Sequence, residues 1–302
     1  MSATLKQIRY FVAAAEAQKV SAAAVGLGIS QSAVTVAIKE LEALLGVSLI
    51  RRRIGGIGLT QDGLKFLHYA KNIESSIADA IHSMKNKEAE ASGKFRLGVT
   101  YTGLGYFLLP ILARFKRSYP NVEVEMVEMT RIQLEQAIAE GEVDLALLIV
   151  SNLSKGHGLK YKILMKSPRV LWLSSGHPLN RLPEISLKDL KSETFVQFIS
   201  DEAITSARKY LTKVGFKPKI ILKTTSMEAV RGMVATGAAV TILASLVYRP
   251  WSLDGGRVEL RSLKESIPSL DLGVAWRTDK VLSEAEIKFL DYLRSEGSLP
   301  AV

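Results

Sequence analysis

Ser30, Gln31, Ser32, Thr35, Val36 and Lys39 stand within ten residues of one another in the stretch VSAAAVGLGISQSAVTVAIK, residues 20–39. Amide, hydroxyl and ammonium groups at such spacings can hydrogen-bond the edges of DNA bases. Valine can only touch a thymine methyl. Arg51, Arg52 and Arg53 follow soon after. Three adjacent guanidinium groups suit phosphates, which fix register without reading sequence. The plainer alternative for them is a solvated basic loop.

Two short helices must position these groups. Residues 21–27 form an apolar-rich helix with Ala23, Ala24 and Leu27 on one face, and Gly28 breaks it. Ser30 then caps a second helix from about residue 31 to residue 44, with Val34, Ile38, Leu41 and Leu45 as its buried stripe. Two helices at a steep angle make a helix-turn-helix, whose second helix meets base edges with its first turns. Ahead of it, Thr4 and Gln7 predict a capping box, and Leu5, Ile8, Phe11, Val12 and Ala15 the core face of a supporting helix. Behind it, Gly55, Gly56, Ile57 and Gly58 suit a β-hairpin wing.

From about residue 61 to residue 89 the pattern is helical without a proline. Leu64, Leu67, Ala70, Ile73, Ile77, Ile81 and Met84 recur at steps of three and four, a seam of coiled-coil type. At 1.5 Å per residue this helix is roughly 40 Å long. A second copy of the chain is the expected cover for Leu64, Leu67, Ile73, Ile77, Ile81 and Met84; packing on its own C-terminal domain is the alternative. Residues 88–94 form a polar hinge.

Beyond the hinge the pattern alternates strand and helix: strands at 95–99, 122–127 and 144–150, helices at 105–119 and 134–141. A second series follows, with strands at 170–173, 195–198, 220–223 and 240–243 and helices at 206–214 and 227–236. Thr225–Glu228 predicts a capping box. A late strand at 272–276 and a final helix bearing Ile287, Leu290 and Leu293 complete the chain. Such alternation predicts parallel sheets covered by helices.

These residues carry a resemblance to the LysR-type transcriptional regulators. It runs through Leu5, Phe11, Val12, Ala23, Ala24, Leu27, the run Ser30–Thr35, the run Ile38–Glu42, Leu45, Gly46, Val47, Leu49–Arg52, Leu59, Thr60 and Gly63. Lys19, Val20, Ile50 and Val36 depart from the usual pattern. Looser matches follow at Gly141–Asp144, His177–Leu179 and Val234–Gly237. The resemblance implies an α/β chain with three parts: a winged helix-turn-helix over residues 1–60, a linker and dimerisation helix with hinge over 61–92, and an effector-binding domain over 93–302. The last is similar to type 2 periplasmic binding proteins, with lobe one at about 93–165 and 268–302 and lobe two at about 166–267. It also implies binding of promoter DNA as a homodimer or a dimer of dimers, with influence on RNA polymerase.

Ligands of open α/β sheets bind beyond the carboxyl ends of strands. Thr100, Tyr101 and Thr102 occupy that place in lobe one, and Ile199 and Ser200 in lobe two. Arg131, after the second strand, is a candidate partner for a carboxylate. An organic or aromatic acid is the expected effector, with ordinary helix capping and a solvated arginine as the bland alternatives.

The rest of the composition excludes more than it adds. The chain has 302 residues, no cysteine and no apolar run long enough to span a membrane. A cytoplasmic protein without cofactor or metal is expected. The net charge is +10. Residues 1–92 hold 11 Lys and Arg against 8 Asp and Glu, so most of the excess lies elsewhere. Gly98, Gly103 and Gly105 miss the dinucleotide spacing, and no hydrolase elbow is present. The four histidines are scattered, and an enzyme is not expected. The rival to a regulator is a solute-binding or receptor protein whose N-terminal helices only mediate association.

Overall fold

The computed structural model describes residues 3–17, 19–53, 56–85, 91–154, 158–200, 210–212 and 215–297. The chain divides into two compact units, Met1–Ala89 and Glu90–Val302.

In the first unit, α1 (Leu5–Ala17) opens on a reciprocal cap. Thr4 Oγ1 accepts from Gln7 N at 3.2 Å, and Gln7 Oε1 accepts from Thr4 N at 2.9 Å. The helix buries Ile8, Tyr10, Phe11, Val12 and Ala14. Leu5, expected in the core, is exposed: the face continues to it but its cover does not. Helix α2 (Val20–Leu27) stops at Gly28, whose φ of 66° few other residues adopt. The axis then bends by 111° into α3 (Gln31–Leu45). Val34, Ala37, Ile38 and Leu41 are buried, while Leu45, at the final turn beside the Gly46 cap, is exposed and not part of the stripe.

Glu42 explains how the chain turns back: its Oε1 accepts from Leu49 N at 2.7 Å and Ile50 N at 3.0 Å. Strands β1 (Ile50–Arg53) and β2 (Gly56–Leu59) pair antiparallel as the wing. Thr60 ties the next element down: Thr60 Oγ1 donates to Ser48 O at 2.6 Å and accepts from Gly63 N at 2.9 Å. Helix α4 (Gln61–Lys85) therefore starts against Leu49. Its first turns complete the reader core, with Phe66 edge-on to Phe11 at 5.3 Å and Ala70 buried. The predicted extension of α4 beyond residue 85 lies outside the described residues.

In the second unit, β3 (Gly93–Val99), β4 (Val122–Glu128) and β5 (Leu145–Ile149) run parallel. Two antiparallel strands, β12 (Leu270–Arg277) and β6 (Leu159–Ser167), extend them in the order β4-β3-β5-β12-β6. Strand β6 has no counterpart in the sequence expectation. As an edge strand it is mostly exposed, and a register shift at Leu272/Gly273 disturbs its alternation. The helix after β3 begins at residue 101, not 105. It runs as α5 (Tyr101–Gly103), a π-helical turn (Leu104–Leu108) and α6 (Leu109–Ser118). Pro110 accounts for the wide turn: it cannot donate to the Tyr106 carbonyl four residues back, and its ring would crowd it. Helix α7 (Arg131–Glu140) opens on a capping box of Thr130 and Gln133.

The chain passes to the second lobe through Pro168 alone, between β6 and β7 (Arg169–Ser174). There β7 lies between β10 (Thr241–Ala244) and β11 (Val258–Arg261), and β8 (Thr194–Phe198) pairs parallel with β9 (Lys219–Thr224). Val196 N donates to Val240 O at 3.1 Å, joining β8 to the residue that leads into β10. Of the helix predicted at 206–214, only residues 210–212 are described as helical. Helix α8 (Met227–Ala235) is capped by Ser226, which accepts from Ala229 N, so the expected box from Thr225 to Glu228 does not form. Helix α9 (Glu284–Gly297) opens on the reciprocal pair Ser283–Glu286 and returns to the first lobe, where Phe289 packs on Phe95 and Phe115. Its Ile287, expected to be buried, is exposed.

Candidate functional site

The outer face of α3 is a row of small polar groups on a rigid base. Ser30 Oγ accepts from Ala33 N at 3.2 Å and lies 2.9 Å from Ser32 Oγ. Ser30 is thus occupied in starting the helix. Gln31, Ser32 and Lys39 are exposed, and Val36 is 52% exposed. Thr35 is half-buried; its hydroxyl donates to Gln31 O at 2.9 Å and keeps acceptor capacity outward. Glu40, beside Lys39, is held by Gln7 Nε2 at 2.8 Å. In the wing, Arg51 is exposed and pairs with Gly58. Arg52 and Arg53 pair with Ile57 and Gly56; their side chains lie outside the described residues.

Helix α4 splits the expected seam. Leu67 is half-buried and packs on the reader core beside Phe66. Ile73 and Ile81 are exposed, with Tyr69 beside them, and Ile77 is half-buried. The side chains of Leu64 and Met84 lie outside the described residues.

In the second unit the two loops chosen from the sequence come together. Thr100 is 1% exposed at the carboxyl end of β3, and its Oγ1 has no partner among the described residues. Thr102 is buried too. Ile199 and Ser200 follow β8, both half-buried, with Ile199 N donating to Thr224 O at 2.9 Å. The ring of Tyr101 lies 6.0 Å from that of Phe198, the last residue of β8, and 6.1 Å from that of Tyr106. Burial, helped by a hydrogen bond with Tyr106, pushes the Tyr101 phenol up to about 12. It is therefore a neutral donor across the physiological range.

Arg131 has a carboxylate of its own. Its guanidinium pairs with Glu135, one turn along α7, and donates to Ser154 Oγ at 3.0 Å. Glu135 also accepts from Ser154 N at 3.1 Å. These bonds pin the chain that follows β5. They give Arg131 protein partners, which favours a structural role for it beside its assignment as a carboxylate receptor.

Three residues escaped the sequence reading: Tyr106, Arg231 and Arg249. Arg231 is buried in α8 among Met227, Val230 and Val234. Arg249 lies over the Tyr106 ring, 5.2 Å from its centroid. A charge within the apolar run of α8 was the available signal for Arg231. For Arg249 and Tyr106 no local signal exists, because their meeting depends on the tertiary fold.

Gly98 and Gly103 are packing glycines. A Cβ on Gly98 would come within 2.3 Å of Leu134 Cδ2, and one on Gly103 within 3.1 Å of Leu147 O. His177 fastens a turn: its Nδ1 accepts from Leu179 N at 3.3 Å.

A winged helix-turn-helix and a two-lobed α/β domain with a loop-lined junction define a DNA-binding protein with a ligand-binding module. Residues 5–64 match the bacterial regulatory helix-turn-helix family of lysR type, and residues 88–298 match the LysR substrate binding domain. The chain belongs to the LysR family and is a LysR-type DNA-binding transcriptional regulator with an effector-binding domain. It is 25% identical to the HTH-type transcriptional regulator AlsR of Bacillus subtilis, over 91% of this chain and 90% of that protein. Among solved structures it resembles HinK, a LysR family transcriptional regulator from Pseudomonas aeruginosa, at 28% identity and a TM-score of 0.63 over 98% of both chains. Full-length CbnR, solved with its target DNA, shares the fold at 21% identity and a TM-score of 0.55, over 98% of this chain and all of that one.

Proposed function

We propose that the chain acts as a homo-oligomer that reads promoter DNA through α3 and changes its grip when a small organic acid binds between the lobes. The observation that carries this reading is the outer face of α3, polar, exposed and capped at the end that would meet bases. Gln31, Ser32, Thr35 and Lys39 read base edges and Val36 touches a thymine methyl. Arg51, Arg52 and Arg53 hold phosphates beside the groove.

Dimerisation uses the outer part of α4, through the exposed Ile73 and Ile81 and the half-buried Ile77. Pairing would set two recognition helices about one DNA turn, roughly 34 Å, or a multiple apart. The effector binds against Thr100, Tyr101, Thr102, Ile199 and Ser200. Its preference for one arrangement of the lobes, passed through α4, alters reader spacing, DNA bend and polymerase access. Such a protein works in the cytoplasm, where the chromosome is. AlsR and HinK are named as regulators, which supports this role over a solute receptor or an enzyme.

Two substitutions separate the contact classes. Arg52→Ala weakens binding to target and random DNA alike and lowers the log–log salt slope by about 1. Gln31→Ala narrows the gap between target and random DNA by about 1–3 kcal/mol. Fluorescence anisotropy at several salt concentrations measures both. Unchanged affinity in the first or unchanged discrimination in the second removes that residue from the interface.

A further inference from the structure

Arg231 is 3% exposed. Burying a guanidinium is costly unless its donors and its charge are satisfied. Glu228, three residues back in α8, pairs with it, and Tyr106 hydrogen-bonds it from the first lobe. Burial works against its charge, but these partners outweigh that and raise its pKa. Its Nε has no partner among the described residues.

Arg249 adds a second cation to the same phenol ring. It donates to Tyr248 O at 2.7 Å while stacking on Tyr106. Burial pushes its pKa down; Tyr106 works the other way, and the positive Arg231 adds to the lowering. Two guanidinium groups, Arg231 buried and Arg249 exposed, thus face one neutral ring and one carboxylate, and that carboxylate, Glu228, is exposed to solvent. The cluster carries an excess of positive charge that runs from a buried guanidinium, Arg231, out to an exposed one, Arg249.

The neighbours say what the rest of a ligand must be. Tyr106 projects from the π-helical turn, a distortion frequent at functional sites. Tyr101 adjoins it, with Phe198 across from the other lobe. Thr100 Oγ1, at the foot of the same strand–helix junction, is a second buried polar atom without a described partner.

We propose that Arg231 and Arg249 form the anion-recognising half of the effector site, and that the effector is a monocarboxylic acid with a flat apolar body. The carboxylate meets the guanidinium groups, and the body lies against Tyr101 and Phe198. The two cations less one carboxylate leave room for one negative charge. This rests on the reading of the junction as the effector site, and it moves acid recognition from Arg131 to the second lobe. The acid would tie lobe-two arginines to lobe-one tyrosines, so binding and lobe arrangement become one event.

The test uses the full-length protein and three flat acids, benzoate, cinnamate and 2-naphthoate, each beside its primary amide. Calorimetry is expected to show at least one acid binding ten times more tightly than its amide. Arg231→Gln and Arg249→Gln each lower that acid's affinity at least tenfold and change the amide's less than twofold. Arg249→Gln, on a loop, keeps the test valid if the helix variant fails to fold. No acid exceeding its amide, or full acid affinity in a folded variant, overturns the proposal. Retention of specific promoter DNA is measured on the same samples. Its presence together with acid–amide parity sinks this inference alone, whereas its absence in the unsubstituted protein sinks the regulator reading beneath it.

Discussion

Gly63→Ala is expected to destabilise the reader unit by about 3 kcal/mol and to abolish specific DNA binding at the temperature where the unsubstituted protein binds. A Cβ at this position would stand 1.9 Å from Leu49 O, far inside contact distance, and 2.8 Å from Leu49 C. Those atoms are backbone and are held from several sides. Thr60 N donates to the same carbonyl at 3.0 Å, Glu42 holds Leu49 N, and Thr60 Oγ1 fixes Gly63 N. Neither partner can step aside without losing those bonds. Alanine normally favours a helix over glycine by about 1 kcal/mol, so the intrinsic preference runs opposite to the expected result. Denaturation followed by circular dichroism decides between them. A variant as stable as the parent would show that α4 does not pack this closely on Leu49.

Glu135→Ala is expected to cost the effector-binding unit about 3 kcal/mol, since breaking a buried ion pair leaves its partner's charge buried and poorly compensated. Glu135 is 3% exposed and binds both the Arg131 guanidinium and Ser154 N. Its loss leaves Arg131 in a poorly solvated place and releases the chain after β5. Arg131→Met should cost less, because it removes the charge and keeps much of the apolar stem. If Arg131 were instead a ligand-binding residue standing free at the cleft, Glu135→Ala would leave stability unchanged and Arg131→Met would lower affinity for acids. Chemical denaturation of both variants, with acid binding measured in parallel, separates these cases.

The parts legible in the sequence were those fixed by local chemistry. Gly28, the Ser30 cap, the Thr4–Gln7 reciprocal cap and the buried faces of α1 and α3 follow from side chains within a few residues of each other. That Thr100–Thr102 and Ile199–Ser200 would meet at one junction was legible because both loops follow the carboxyl ends of strands in an α/β fold. The junction's cations were not. Arg231, Arg249 and Tyr106 are brought together by lobe packing across up to half the chain. The Arg131 pair was missed for the opposite reason: its partner Glu135 lies only four residues away, but nothing local says that the pair is buried. The edge strand β6 and the short strand β11 were missed because partial burial weakens the alternation that identifies a strand. Leu67 stands in the expected dimer seam and also packs on the reader core, because one spacing serves both, and only the position of Phe11 and Phe66 reveals the core contact.

The most direct test of the central claim is retention of sheared genomic DNA by the purified protein at about 150 mM salt, where electrostatic binding alone is weak. Sequencing of the retained fragments is expected to show a few sites enriched over the rest, each an inverted repeat with half-sites about one helical turn apart or a multiple of it. The Gln31→Ala protein should retain the same sites with lower enrichment. Uniform retention of all fragments, or none with or without the acids above, would contradict the account of α3 as a reader of DNA sequence.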